Sequence, residues 1–147
     1  MKNNPDLLPS KSVHWSTPDK LYKYFMDHGY IDPCPLHSEE DGLCKQFYKV
    51  NIFVNPPFSD LSKWVDWCIE QYHNGCKVVI LLPSRTDTKY FHKLLKCSPM
   101  LYFFEGRLQF GNSGKNAPFP CCLVHLEQTF LMIHAYQFGS IEKYIHK

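Results

Sequence analysis

An asparagine, two prolines and an aromatic ring, Asn55-Pro56-Pro57-Phe58, stand where an apolar run gives way to an amphipathic one. Residues 50–54 are β-branched and aromatic, the kind of short run buried in a parallel sheet. The proline pair ends it, because it has no amide hydrogens to donate and holds its backbone extended. The Asn55 carboxamide and the nearby carbonyls are therefore expected to face outward, as oxygen acceptors beside the Phe58 ring. Ser59 is placed to cap a helix whose apolar residues, Leu61, Trp64, Val65, Cys68, Ile69 and Tyr72, share a face. The plainest alternative is a strand-ending turn with a capped helix, which uses the same residues without chemistry.

The tetrapeptide resembles motif IV of the amino-methyltransferases, an (Asn/Asp)-Pro-Pro-(Tyr/Phe/Trp) sequence that follows a sheet strand in enzymes methylating exocyclic amines. The N6 lone pair of adenine is delocalised into the ring. It becomes a useful nucleophile only when acceptors bind both amino hydrogens and make the nitrogen more pyramidal. The resemblance implies that the Asn55 side-chain oxygen and the Pro56 carbonyl are those acceptors, on a bend completed by Pro57. Phe58 would then stack on a base swung out of its helix.

Upstream, Trp15-x-Thr17-Pro18 precedes a helix and a short strand ends in Asp32-Pro33-Cys34. Thr17 reads as a cap, with Pro18 at the first helical position and Asp19 in the first turn. These stretches resemble motifs X and I of amino-methyltransferases that bind S-adenosylmethionine. The resemblance implies a cofactor site made by Trp15, Thr17, Pro18, Asp32, Pro33, Cys34 and Asn55, with the helix start near the methionine carboxylate. Asp32 would open the crevice where α/β sheets bind ligands. Taken singly, Thr17-Pro18 is also a good helix start, and Asp32 also a turn cap.

Motif I normally runs on into a glycine-rich loop, whereas here no glycine appears until Gly42. The segment from Asp32 to Asn55 is too short for two further strands and their helices. The acid that would hold a ribose has no obvious strand, which leaves Glu39, Glu40 and Asp41 as candidates. Cys34, His37 and Cys44 include a Cys-x2-His spacing that can chelate zinc, but a fourth ligand is missing from the segment, and no metal site is assigned. The His-x-Glu and Pro-Cys-x-x-Cys pattern of a zinc deaminase is absent.

With 147 residues, the chain is expected to form one domain behind a loose leader of residues 1–12. No apolar run is long enough to span a bilayer and no signal peptide is visible, so a cytoplasmic protein is expected. The seven cysteines lie mostly in apolar runs and suggest buried thiols in a reducing compartment. A net charge of +2 does not by itself argue for nucleic acid, so electrostatic contacts would come from local clusters.

The first helix puts Leu21, Tyr24, Phe25 and His28 on one face and ends at Gly29, before a very short strand at Tyr30-Ile31-Asp32. Lys77–Pro83 is the clearest buried strand, and its unbroken apolar character predicts a central, parallel position. A helix through Tyr90, Phe91, Leu94 and Leu95, a strand at residues 100–104 and a possible short strand at residues 106–110 follow. The longest loop spans residues 111–120. Strands at Cys121–Leu126 and residues 129–134 are expected to close the sheet as a hairpin, with a short helix in the tail from Ser140. The alternation predicts an α/β fold.

In family order, Trp15-x-Thr17-Pro18, Asp32, Asp41-Gly42-Leu43, Asn55-Pro56-Pro57-Phe58-Ser59, Leu81-Leu82-Pro83, Asp87-Thr88, Gly106-Arg107-Leu108-x-Phe110 and Ala117-Pro118 resemble the phage DNA N-6-adenine methyltransferase family, the Dam-like one. That resemblance implies a reduced Rossmann-like methyltransferase with a mixed, mainly parallel sheet and a C-terminal antiparallel hairpin. The implied donor is S-adenosylmethionine and the implied acceptor is adenine in double-stranded DNA, in a phage or prophage protein acting as monomer or homodimer. Arg85, Arg107 and Lys115 are the candidate DNA contacts, with Lys89, Lys93 and Lys96 as either phosphate track or solvated surface. Adenine in RNA, a glutamine amide, a catalytically silent nucleic-acid-binding relative and a plain interaction module are the competing readings.

Overall fold

The computed structural model describes residues 15–36, 38–111 and 116–128. The Pro18 carbonyl starts α1 (Asp19–Asp27) by accepting from the Tyr22 amide at 3.0 Å, and Gly29 leaves the helix at a φ of +76°. β1 (Tyr30–Ile31) follows, then a long connection with one 3-10 turn at Gly42–Cys44, then β2 (Asn51–Val54). A second 3-10 turn, Phe58–Asp60, leads into α2 (Leu61–His73). β3 (Lys77–Pro83), α3 (Lys89–Leu95), β4 (Met100–Phe103) and β5 (Cys121–Leu126) complete the described elements. Among the described residues no helix is long and apolar enough to cross a membrane.

The strands form one mixed sheet in the order β1-β2-β3-β5-β4. β1, β2 and β3 are parallel neighbours, and β5 lies antiparallel between β3 and β4, so it alone is reversed. β3 holds the centre, as its apolar run predicts, with every residue from Val78 to Pro83 buried. Side-chain alternation divides the sheet into two faces. Ile52, Val54, Val78, Ile80, Leu82, Cys122 and Val124 pack under Trp64, Val65 and Cys68 of α2 and Phe91 and Leu94 of α3. Phe53, Val79, Leu81, Cys121 and Leu123 face Leu21 and Phe25 of α1, where Phe25 stacks on Phe53 at 4.3 Å between centroids.

Parallel neighbours need a crossover, usually helical. Between β1 and β2 the chain uses an irregular strap fastened to α2 instead. Fully buried Gln71 accepts from the Phe47 amide at 2.8 Å and donates to the Gln46 side chain at 3.1 Å, while the Trp67 indole donates to the Lys45 carbonyl at 2.9 Å. The bonds to Phe47 and Lys45 take up backbone groups that a helix would satisfy internally.

Several expectations are corrected. Ser59 does not cap α2: the 3-10 turn intervenes, and its hydroxyl lies 3.5 Å from the Asp60 carboxylate. Thr17 does not cap α1, whose first residue is Asp19 after Pro18, because its hydroxyl is engaged with Asn55. Residues 106–110 form no strand, only a single bridge from Gln109 to Asn116. The strand expected at residues 129–134, hence the hairpin, and the tail helix lie outside the described residues, as do the leader and His37.

His125 on β5 pairs in register with Val79 and Met100, which turns it toward the α1 side. The residue is 7% exposed, and its Nε2 is 3.6 Å from a Glu127 oxygen. Burial pushes its pKa down to about 4; Glu127 pulls the other way, and Lys77 adds to the depression. The ring is therefore neutral at neutral pH. An unfolded chain takes up this proton near its ordinary pKa of 6.5, a folded one only near 4, so stability falls as pH drops across that window and levels off below it. The loss should reach about 3 kcal/mol. Urea melts of the wild type and His125→Leu between those pH values check this, the variant lacking that part of the decline.

Candidate active site

Asn55 directly follows β2 at the carboxyl edge of the parallel strands and is 4% exposed. Its amide nitrogen donates to the Trp15 carbonyl at 2.6 Å and to the Thr17 hydroxyl at 3.1 Å. A carbonyl can only accept, so the nitrogen must face Trp15 and the oxygen must face away. Asn55 Oδ1 is buried and has no hydrogen-bond partner among the described residues. The acceptor expected to point outward is thus shielded from solvent, because Trp15 and Thr17 draw the carboxamide inward. Leaving such an oxygen unmet costs about 1–3 kcal/mol, so a donor brought to it finds a ready partner.

The rest of the elbow is aromatic. Pro56 is buried, and Pro57 and Phe58 are half-buried. The Phe58 ring meets Phe119 at 5.2 Å and Phe110 at 6.1 Å, both steeply inclined, and Phe110 meets Trp15 at 5.6 Å. Phe110 and Phe119 come from an arm between β4 and β5. The Ala117 amide donates to the Leu108 carbonyl at 2.7 Å, and the Ser84 amide just past β3 donates to the Pro120 carbonyl at 2.9 Å. Gly111 lets the arm lie against the start of the chain, since it has a φ of +63° and a Cβ there would sit 2.8 Å from Ser16 Oγ. Sequence reasoning gave these two phenylalanines no role in the site, and their signal was an aromatic pair at the ends of the longest loop, Phe110 just before it and Phe119 near its close.

A cleft of about 360 Å³ opens beside the elbow, lined by Cys34, Pro35, Asp41, Gly42, Pro57 and Trp64 among others. The loop after β1 thus meets the loop after β2. Asp32 Oδ1 accepts from the Cys34 amide at 2.9 Å and shapes that loop. Burial, then Asp32 and Asp41, push the Cys34 thiol up to about 12, so it stays protonated. Asp41 Oδ1 accepts from the Leu43 amide at 3.0 Å, and Glu40 pairs with Lys45 at 2.6 Å.

Trp15, Thr17, Asn55 and Phe58 are therefore one connected cluster, and Cys34, beside Asp32 and Pro33, shares the cleft with Pro57. Pro18 lies one step further along, at the start of α1. Arg85 and Arg107 are exposed, on the loop past β3 and on the arm, and neither forms an ion pair among the described residues. Lys93 is paired with Asp66 at 2.6 Å, and Lys115 lies outside the described residues. No group of three or more metal-ligating side chains occurs among the described residues.

Gly42 holds this arrangement together. A Cβ at that position would collide with the Pro33 carbonyl and lie 2.8 Å from the Trp64 ring, so the strap, the loop after β1 and α2 meet where only a hydrogen fits. Gly42→Ala should destabilise the protein by about 2 kcal/mol. Thermal and urea melts beside Gly75→Ala, whose Cβ would meet only the Lys49 side chain at 3.4 Å, separate this crowding from the backbone strain at Gly75.

The family model described as DNA N-6-adenine-methyltransferase (Dam) matches residues 6–130. The DNA N-6-adenine-methyltransferase of Escherichia phage T1 is 26% identical over 120 residues, which cover 72% of this chain and 49% of the relative. The chain spans about half the length of that curated relative. No solved structure matches.

Proposed function

The chain belongs to the DNA N-6-adenine-methyltransferase (Dam) family, and on that premise we propose that it transfers a methyl group from S-adenosylmethionine to the N6 amine of an adenine turned out of double-stranded DNA. The observation that carries the reading is the unmet Asn55 oxygen at the strand-ending elbow, beside an aromatic ring. An exocyclic amine brings two N–H donors. Asn55 Oδ1 takes one and the Pro56 carbonyl the other, which withdraws the lone pair from conjugation. Neither group can accept a proton outright, so the proton displaced by methylation leaves to solvent.

Phe58 supplies the stacking surface for the base. Its ring is covered by Phe110, which is 2% exposed, and by half-exposed Phe119. Phe119 is the lighter obstacle, so the base enters by displacing it. Trp15 continues the same aromatic wall through Phe110.

The residues around the cleft fit a sulfonium nucleoside. Pro35, Pro57 and Trp64 provide apolar walls, and Asp41 provides carboxylate oxygen for ribose hydroxyls. When bound, the donor supplies an electrophilic methyl on positively charged sulfur. It carries no phosphate, so the glycine-rich amide nest of a dinucleotide site is not required, and Gly42 is free to serve packing. Four strands running one way around a single reversed β5, with their carboxyl ends at the elbow, support a reduced Rossmann-like methyltransferase architecture.

Plasmid propagated with this protein in a host lacking adenine methylation should acquire N6-methyladenine, mapped by digestion and sequencing. Asn55→Ala, folded as judged by its melt, should lower the rate at least about 100-fold, as removal of a transition-state hydrogen-bond partner does. Methylation that persists at the wild-type rate would refute the acceptor role. Arg85→Ala and Arg107→Ala should each weaken DNA binding alike for all sequences and flatten the slope of log affinity against log salt by about one. Titrations at several salt concentrations measure this.

A further inference from the structure

We propose that Thr17 and the Trp15 carbonyl are positioning groups for Asn55, holding its carboxamide with the oxygen toward the substrate amine and making asparagine, not aspartate, the residue this chain requires there. The inference rests on the methyl-transfer reading above and adds the control of the acceptor's orientation.

A carboxamide is nearly symmetric in shape, and a half-turn about its last bond exchanges oxygen for nitrogen. In the wrong orientation Asn55 would present N–H donors to an amine that itself only donates. Trp15 prevents this: at 2.6 Å its carbonyl oxygen accepts a hydrogen and cannot tolerate another oxygen. The Thr17 hydroxyl, at 3.1 Å, takes up the second hydrogen of the same nitrogen. Both hydrogens of the amide are thereby occupied, and Oδ1 is the one polar atom of the side chain left to meet a ligand. The Thr17 hydroxyl is spent on this bond instead of capping α1, which starts without a side-chain cap.

The same geometry separates the two residues that motif IV admits. An aspartate at position 55 would set a carboxylate oxygen against the Trp15 carbonyl at hydrogen-bond distance, with only Thr17 to donate to it. The desolvated, repelled carboxylate would turn away from the elbow or hold a proton. The requirement for asparagine thus comes from a backbone atom forty residues upstream.

The test compares wild type with Thr17→Val, Thr17→Ser, Asn55→Asp and Asn55→Ala. It uses thermal melts, kcat and donor KM on plasmid DNA, and side-chain amide exchange in donor-free protein, the Asn55 amide signal being assigned by its loss in Asn55→Ala. Thr17→Val, which keeps the shape and loses the hydroxyl, should lower kcat about fivefold with donor KM unchanged and speed exchange of the Asn55 amide protons. Thr17→Ser should restore both. Asn55→Asp should fold and lose at least about 100-fold in kcat. A raised donor KM with unchanged kcat in Thr17→Val would instead make Thr17 a cofactor contact, and wild-type turnover by Asn55→Asp would overturn the inference through the other arm. Wild-type turnover by Asn55→Ala would refute the acceptor role of Asn55, whereas no turnover by the wild type itself, on any adenine-containing DNA, would sink the methyl-transfer reading. The exchange rates would still decide whether the clamp exists, and equal rates in wild type and Thr17→Val would overturn it.

Discussion

One hydrogen bond organises this molecule's working end: the Asn55 amide on the Trp15 carbonyl. It joins the end of the second strand to the segment before the first helix, two stretches that share no strand pairing. Together with the Thr17 bond it occupies both amide hydrogens and leaves the acceptor end buried and without a partner among the described residues. The cost of leaving that oxygen unmet is of the size proteins tolerate where function requires it.

The strap between β1 and β2 solves a second problem. A parallel pair is usually bridged by a helix that satisfies its own backbone, and between β1 and β2 the described residues form no α-helix. The strap's backbone polar groups are instead met by side chains on α2, through Gln71 and Trp67. Gly42 then allows the strap to touch the Pro33 carbonyl and the Trp64 ring at once. Gly42 and Trp64, which meet where the strap crosses α2, also line the cleft. Packing and cleft shape therefore meet at these two residues.

Much of the sheet was legible in the sequence because buried strands declare themselves in their own residues. Lys77–Pro83 is apolar after its first residue and Cys121–Leu126 is apolar but for His125, and both form strands with these bounds. The insertion of β5 between β3 and β4 was not legible, since it depends on which distant partner a strand meets. Ser59 and Thr17 were sensible caps by local rules, and both hydroxyls found partners elsewhere. The inward turn of Asn55, the roof of Phe110 and Phe119, and the burial of Gln71 are all tertiary facts. A tetrapeptide could suggest an acceptor, but only the folded chain shows which end of the carboxamide is free.

The position of β5 has a consequence for how the protein is made. Its partner β3, at the centre of the sheet, leaves the ribosome well before β5 does, with α3 and β4 translated between them. Until the late strand arrives, one edge of an unbroken apolar segment stays open in the nascent chain. Synthesis therefore passes through a window in which chaperones and aggregation compete for the centre of the sheet.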